Sequence, residues 1–414
     1  SRSIFTGSTN LVYLSTLPPL QSPLPQYSLV RLTTTSPETG VQNLGIGVYN
    51  PSSTYAVRLL LDGRDPFFPL VSSLSTSSEM MRSTIALILQ RCVMARGLQG
   101  LPGEGTDCYR LANGDGDMLS GVSVDVFGDD VVVMIQAGWA VMWREVLVGC
   151  VKEATGKENV RVRVGWDRVK TDHGGDGLRE VWEEGGEEGG VTVIKENGVK
   201  YLYDHAETQK TGFYTDQRDN RRMLAGMARG KKVLDLCCYV GSFSLNAVVG
   251  GGAIEATGVD SSARAVAQAE GNALANGVEG KCTFVKEDVA KFMRRKGEEG
   301  ERWDVVVLDP PKLAPTVKGL SRAVTKYATL NRDAVKLISP SGGVLLTCTC
   351  SSAMTNGGEG RLFTDTVVKA VRNAGRTGRV VKKTHTAGCH AGGSEYLTAL
   401  TVVVDPIEDV NGTR

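Results

Sequence analysis

Between Val233 and Asp260 the chain passes through a pattern that few folds accommodate. The apolar run Val233-Leu234-Asp235-Leu236 turns through Cys237-Cys238-Tyr239-Val240-Gly241-Ser242-Phe243. A stretch of small residues carrying Leu245, Ala247 and Val248 follows. After Gly250-Gly251-Gly252 comes a second apolar run, Ala256-Thr257-Gly258-Val259, closed by Asp260. Strand, glycine-bearing turn, helix, strand and acid make a nucleotide-binding βαβ unit, with the terminal acid placed to receive two ribose hydroxyls.

The turn narrows the choice of nucleotide. A dinucleotide site requires G-x-G-x-x-G, so that backbone amides at a helix N-terminus approach a pyrophosphate. Here Gly241 alone is in register, and the bulky Tyr239 stands where the first close approach would occur. A nucleoside with a cationic, phosphate-free tail suits this turn better, which points to S-adenosylmethionine as cofactor.

Downstream, strand candidates alternate with helical stretches: Thr283–Val285, Asp304–Leu308, Gly343–Thr347 and Leu397–Val404. This alternation predicts an α/β fold with a mainly parallel sheet, its ligands at the carboxyl ends of the strands. The residues just after those ends carry the candidate chemistry. Asp288, after the third strand, suits an adenine amino group and equally suits a helix N-cap. After the fourth strand stands Asp309-Pro310-Pro311-Lys312, whose prolines hold Asp309 extended at the cleft. Enzymes that methylate exocyclic amines place an aromatic residue at the fourth position of such a tetrad. Lys312 there points away from that chemistry and is a candidate for a substrate phosphate.

After the fifth strand comes Thr347-Cys348-Thr349-Cys350-Ser351-Ser352. Cytosine C5 is too weak a nucleophile to attack a sulfonium methyl until a thiolate adds to C6 and converts the ring to an enamine. Cys350 is the candidate nucleophile, and Asp309 is the candidate acid clamping the base. The plainer reading makes Cys348 and Cys350 small buried hydrophobes.

Upstream, residues 1–64 read as short strands separated by Ser36-Pro37 and Asn50-Pro51-Ser52-Ser53, which predicts a small β-barrel. Helical spacing follows from Ser77 to about Arg96 and again around Met142–Ala154, with strands between Tyr109 and Gln136. The glycine- and acid-rich run from Gly174 to Gly189 reads as a loop. These boundaries divide the chain into residues 1–64, a central α/β domain over 65–195, and a Rossmann-like domain over 196–414. Before the first strand of the last domain lies Gln209-Lys210-Thr211-Gly212-Phe213-Tyr214-Thr215-Asp216-Gln217-Arg218. It is too dense in polar, aromatic and basic residues for a linker. Arg218, Arg221 and Arg222 are candidates to meet a phosphate or carboxylate, and Lys210 is a candidate substrate contact.

Composition sets outer limits. No apolar run reaches the length of a membrane span, and Lys+Arg 47 against Asp+Glu 46 confines any nucleic-acid surface to a local patch. Nine cysteines without paired spacing suit free thiols in a reducing compartment. Cys348, Cys350, His385, Cys389 and His390 hold ligand-type atoms, but Cys-x-Cys is tight for tetrahedral zinc, so no structural metal is expected. The stretch to Pro37 lacks acidic residues, which suits either the tail of an organelle transit peptide or a domain edge. The compartment thus reads as cytoplasmic or organellar (plastid or mitochondrion).

Taken together, Gln209–Arg218, Asp235–Phe243, Asp309–Lys312 and Thr349-Cys350-Ser351 resemble the bacterial-type large-subunit ribosomal RNA cytosine-5 methyltransferases, which carry an N-terminal PUA domain. Gly47–Ser53, Tyr109–Leu111 and Gly121–Asp125 extend the resemblance. It implies a class I methyltransferase domain with a seven-stranded sheet, preceded by a PUA-like barrel and a central α/β domain. Ile4-Phe5-Thr6-Gly7 looks internal to that barrel, so its first strand is expected to be missing. The resemblance further implies Cys350 as nucleophile and Asp309 on the target base. Phe213, Gln217, Arg218, Asp235, Tyr239, Gly241, Asp260 and Asp288 would surround the methyl donor. The implied partner is large-subunit ribosomal RNA, and a homodimer is compatible with the chain. The chain departs from the family at Cys237, Cys238 and Cys348, and in lacking Asp-His-Pro near Cys389-His390.

Overall fold

The structure, a computed structural model, describes residues 10–19, 22–38, 40–180, 190–205, 212–314, 319–390, 392 and 395–407. Strands β1 (Leu11–Tyr13), β2 (Leu29–Ser36), β3 (Gly40–Tyr49) and β4 (Tyr55–Asp62) form an antiparallel sheet in the order β1-β4-β3-β2. All three pairings carry a register shift. The expected barrel does not close among the described residues: β1 and β2 are the sheet's two edges, and β1 is too short a ladder to bridge them. Ile4–Gly7, read as a barrel fragment, lie outside the described residues.

The short α1 (Phe68–Ser72) leads to α2 (Ser77–Gly97). Thr76 and Glu79 form a reciprocal capping box at the start of α2. Met81, Ile85, Ile88, Leu89 and Cys92 recur at helical spacing and are buried. The central sheet runs β5 (Cys108–Asn113), β6 (Val122–Phe127), β7 (Asp130–Ile135) and β8 (Asn159–Val164), with β7 and β8 parallel. Helices α3 (Gly138–Met142), α4 (Arg144–Thr155), α5 (Trp166–His173) and α6 (Gly177–Glu180) accompany it. Part of the glycine-rich run read as a loop is therefore helical.

Domain boundaries drawn from sequence cut through shared cores. One apolar cluster joins Tyr27, Val48 and Leu60 of the first sheet to α2, the central sheet and Cys389 near the C-terminus. Arg58 pairs with Asp172 at 2.7 Å across the same junction. The 195/196 boundary divides a hairpin, β9 (Val191–Glu196) with β10 (Val199–Asp204), in which Glu196 pairs with Val199. The inward residues Ile194, Val199, Tyr201 and Tyr203 pack on Phe127 on one side and Phe243 on the other. The hairpin thus cements the two halves together. Burial of its alternate residues on both neighbours is what a sequence division at 195 cannot accommodate.

After α7 (Arg218–Ala225) comes a seven-stranded sheet of β11 (Lys232–Leu236), β12 (Glu255–Asp260), β13 (Cys282–Lys286), β14 (Val305–Leu308), β15 (Gly343–Thr349), β16 (Gly378–Thr384) and β17 (Thr398–Val404). Their order is β13-β12-β11-β14-β15-β17-β16. The pairs β11/β12, β12/β13, β11/β14 and β14/β15 are parallel, and β17 runs antiparallel to both its neighbours. Helices α8 (Ser242–Leu245, continued by a π-turn), α9 (Ala263–Ala275), α10 (Val289–Glu298), α11 (Leu320–Lys336), α12 (Ser352–Gly360) and α13 (Leu362–Asn373) connect the strands. Order reverses at β11/β14, the switch point where a doubly wound sheet opens its ligand crevice.

Candidate active site

Three left-handed residues shape the turn after β11: Cys237 at φ 64°, Tyr239 at φ 49° and Gly241 at φ 76°. The Cys237 and Cys238 amides both donate to the Val259 carbonyl, at 2.9 and 3.1 Å, which folds the turn onto β12. Gly241 cannot be replaced cheaply, because a Cβ there would lie 2.7 Å from the Phe284 ring. The Tyr239 amide donates to Asp260 Oδ2 at 3.0 Å and the Ser262 amide to Oδ1 at 2.9 Å, so the acid ending β12 is fixed at the rim.

Asp235 lies beneath. It is fully buried, and its Oδ2 accepts the Ser244 amide at 3.0 Å and the Ser244 hydroxyl at 2.8 Å. Its Oδ1 is buried without a hydrogen-bond partner among the described residues. Burial pushes this carboxyl up to about 6; the Ser244 bonds oppose the rise and Asp260 adds to it. On the adjacent strand Asp309, whose amide donates to the Leu236 carbonyl at 3.2 Å, is raised to about 7, first by burial and then by Asp216 and Asp235. Cys237 is driven up by burial and by Asp309, Asp260, Asp235 and Asp288. Five carboxylates therefore share one cleft. The guanidinium that reaches them, Arg221, is already held by Glu196 at 2.6 and 2.7 Å. A ligand carrying a sulfonium and an ammonium group supplies the missing positive charge, and the orphaned Asp235 Oδ1 is an acceptor for it. The residues fit S-adenosylmethionine.

Next in the sheet, β14 and β15 run in register with Leu308 opposite Thr347, which brings Asp309 beside Cys348, two residues before Cys350. Cys348 is fully buried, while Cys350, past the strand end, is half-buried. Their environments differ because the strand stops at Thr349. Thr349 Oγ1 donates to the Tyr327 hydroxyl of α11 at 2.9 Å, and Ser351 Oγ donates to the Ala314 carbonyl at 2.9 Å. These bonds tie the Cys350 segment to the loop that follows Asp309. Gln217 Nε2 donates to Asp309 Oδ2 at 3.1 Å.

Asp235, Tyr239, Gly241, Asp260, Gln217, Asp309 and Cys350 thus converge. Asp288 stands exposed at the mouth, where it caps α10 by accepting the Lys291 amide at 3.0 Å. Lys312 is exposed on the Asp309 loop, and Lys210 lies outside the described residues.

Phe213, Arg218 and Arg221 engage other groups of the protein. Phe213 is buried against Tyr201, with Arg221 above its ring at 5.3 Å. Tyr214 is the aromatic that meets the donor turn, its ring 5.2 Å from that of Tyr239. Arg218 reaches Asp219 at 3.1 Å and the Cys389 thiol at 3.4 Å. Arg221 lies under the hairpin, because a buried Glu196 needs a counter-ion there more than the cleft does.

Sequence reasoning passed over Asp216, Ser244, Tyr327 and Tyr396. Asp216 stood within the quoted motif. Its carboxylate accepts from Tyr396 at 2.6 Å, a contact spanning 180 residues that no local pattern announces. His385, Cys389 and His390 do not assemble with other residues into a metal-binding group among the described residues. Burial instead lowers His390 to about 3.

Comparison with known proteins agrees with this geometry. Residues 175–371 match the family model of S-adenosylmethionine-dependent methyltransferase. Ribosomal RNA large subunit methyltransferase I of Aeromonas hydrophila is 38% identical over 308 residues, covering 72% of each chain. The chain belongs to that family. The protein of the same name from Shewanella amazonensis is 34% identical over 296 residues, covering 71% of this chain and 72% of its own. In this member of the methyltransferase I family the class I fold is that of the seven-stranded sheet from β11 to β17 and the helices around it. The crystal structure of SMU.776, described as a methyltransferase and complexed with SAH, superimposes with a TM-score of 0.73 over 95% of both chains at 21% identity. The protein is a methyltransferase dependent on S-adenosylmethionine. Among its described residues no helix is long and apolar enough to cross a membrane.

Proposed function

We propose that this methyltransferase forms 5-methylcytosine in large-subunit ribosomal RNA. The observation that supports the reading is that Asp309 and Cys350 follow the ends of the adjacent strands β14 and β15, in the sheet that carries the donor turn at the end of β11. The names of the relatives support the RNA class.

Asp235 takes the cationic end of the methyl donor, Asp260 its ribose hydroxyls and Asp288 its adenine amino group. Tyr239 and Gly241 shape the turn against it. The donor supplies an electrophilic methyl group, and this chain's residues prepare the acceptor. A cytosine flipped from its stack enters the cleft. Asp309, held near 7 by burial and its carboxylate neighbours, keeps a proton to share with N3. Cys350 Sγ adds to C6, and the electron pair released at C5 takes the methyl group as its bond to the donor sulfur breaks, leaving S-adenosylhomocysteine. A base or water then removes the C5 proton, which restores the ring and expels the Cys350 thiolate. Lys312 serves as a contact to a substrate phosphate, Lys210, outside the described residues, as a further substrate contact, and the first sheet as a PUA-like RNA-binding module. The nine cysteines, none in a disulfide, support a reducing compartment, cytoplasmic or organellar.

The test is nucleoside mass spectrometry of ribosomal RNA treated with the protein and labelled donor. The expected product is 5-methylcytosine, and Cys350→Ala abolishes it. A methylated guanine or adenine, or full turnover by Cys350→Ala, overturns the reading.

A further inference from the structure

Gln217 sits at the centre of a hydrogen-bond chain that determines which way its amide points. Thr384 Oγ1 on β16 donates to Asn220 Oδ1 at 2.7 Å. This leaves Asn220 Nδ2 to donate to Gln217 Oε1 at 2.6 Å and to the His385 carbonyl at 3.4 Å. With its oxygen engaged, Gln217 presents Nε2 alone to Asp309 Oδ2. The chain is enclosed: Gln217 is 4% exposed and Asn220 1%. Flipping Gln217 alone sets nitrogen against nitrogen at Asn220, and flipping Asn220 turns its oxygen toward the His385 carbonyl, so this orientation is the one that keeps every bond.

We propose that Gln217, anchored through Asn220 and Thr384, is a positioning residue that orients the Asp309 carboxyl and governs its protonation, and is not a ligand of the methyl donor. This deepens the cytosine-5 reading and rests on it.

A pure donor at this place favours the carboxylate over the carboxylic acid. Other groups face Asp309 from every side: Asp216 before α7, Arg221 on α7, Asp235 on β11, Cys237 in the donor turn, Cys348 on β15 and Tyr327 on α11. Burial and the carboxylates drive the proton on, while Gln217 and Arg221 drive it off. A carboxyl balanced in this way can share a proton with N3 and recover it within one turnover. The Gln217 amide also lies against Cys348, so the same chain braces the strand that leads to Cys350.

Single-turnover methyl transfer, followed from about pH 6 to about pH 9, tests this with wild type, Gln217→Met and Asn220→Ala. Binding of S-adenosylhomocysteine is measured by calorimetry alongside. Gln217→Met keeps the length and removes the donor, so the alkaline limb moves up by about one pH unit while cofactor affinity stays within about twofold. Asn220→Ala frees the Gln217 amide and shifts the limb in the same direction by less. It carries the test if Gln217→Met does not fold. A limb unmoved in the variants, or a loss of affinity of about tenfold or more, overturns the proposal. Absence of 5-methylcytosine from the wild-type reaction strikes instead at the cytosine-5 reading, so the two failures are distinct.

Discussion

Arg221 on α7 donates Nε and Nη2 to the two oxygens of Glu196, the last residue of β9, at 2.6 and 2.7 Å, with both side chains almost wholly inaccessible to water. Nη2 also donates to the Tyr214 carbonyl at 2.7 Å. The pair rivets the hairpin to the helix that carries Asn220 and is capped by Gln217. Breaking it leaves one buried charge without its counter-charge. Glu196→Ala is therefore expected to destabilise the protein by about 3 to 5 kcal/mol, read as a fall in denaturation midpoint. Replacing both partners with apolar residues should recover much of that loss. A single variant as stable as wild type would show that the pair is not riveting the hairpin.

The buried Asp235 makes stability depend on pH. Its folded value of about 6 lies above its ordinary one. The stabilisation associated with its neutral form is complete below an unfolded value of about 4 and is lost as pH rises through about 6. Asp309 extends the loss to about 7. Without cofactor, stability should fall across this window, by on the order of 3 kcal/mol from Asp235 alone, and Asp235→Asn should flatten the fall while weakening S-adenosylmethionine binding. Thermal melts in matched buffers measure the first effect and calorimetry the second. Stability rising through the window would contradict the assignment.

Cys350→Ala separates binding from chemistry. Cys350 is half-buried just past the end of β15, and as the proposed nucleophile its loss should leave cofactor affinity unchanged. Methyl transfer should drop by at least about a hundredfold. RNA bearing 5-fluorocytosine should trap wild type as a denaturant-stable adduct and leave the variant free, as a gel shift would report.

Gly241→Ala tests the donor turn. The new methyl group would occupy a residue at φ 76°, 2.7 Å from the Phe284 ring and 3.1 Å from Ala269 Cβ. Backbone strain and overpacking together should cost about 2 to 4 kcal/mol and weaken cofactor binding in parallel. Full affinity in a folded variant would mean that the turn does not close on the cofactor.

Much of the donor half was readable in one dimension because its physics is local. Strand, turn and helix between Val233 and Asp260 are dictated by apolar runs, by a glycine where φ is positive, and by acids at strand ends. Each of those acts over a few residues. Asp309 and Cys350 were legible for the same reason: each ends an apolar run, and a doubly wound sheet gathers such ends in one crevice.

What the tertiary structure alone decided is how charge is apportioned. Arg218, Arg221 and Phe213 have the composition of a binding segment, and Phe213 and Arg221 were drawn beneath the hairpin because Glu196 is buried there and demands a partner. Asp216 reached the cleft through Tyr396, 180 residues away. The ionisation of Asp235 and Asp309 depends on burial and on one another. None of these is a property of a segment. By itself the sequence determined the sheet, the donor turn and the strand ends that carry Asp309 and Cys350; long-range desolvation and pairing decided how the polar residues around them are partnered.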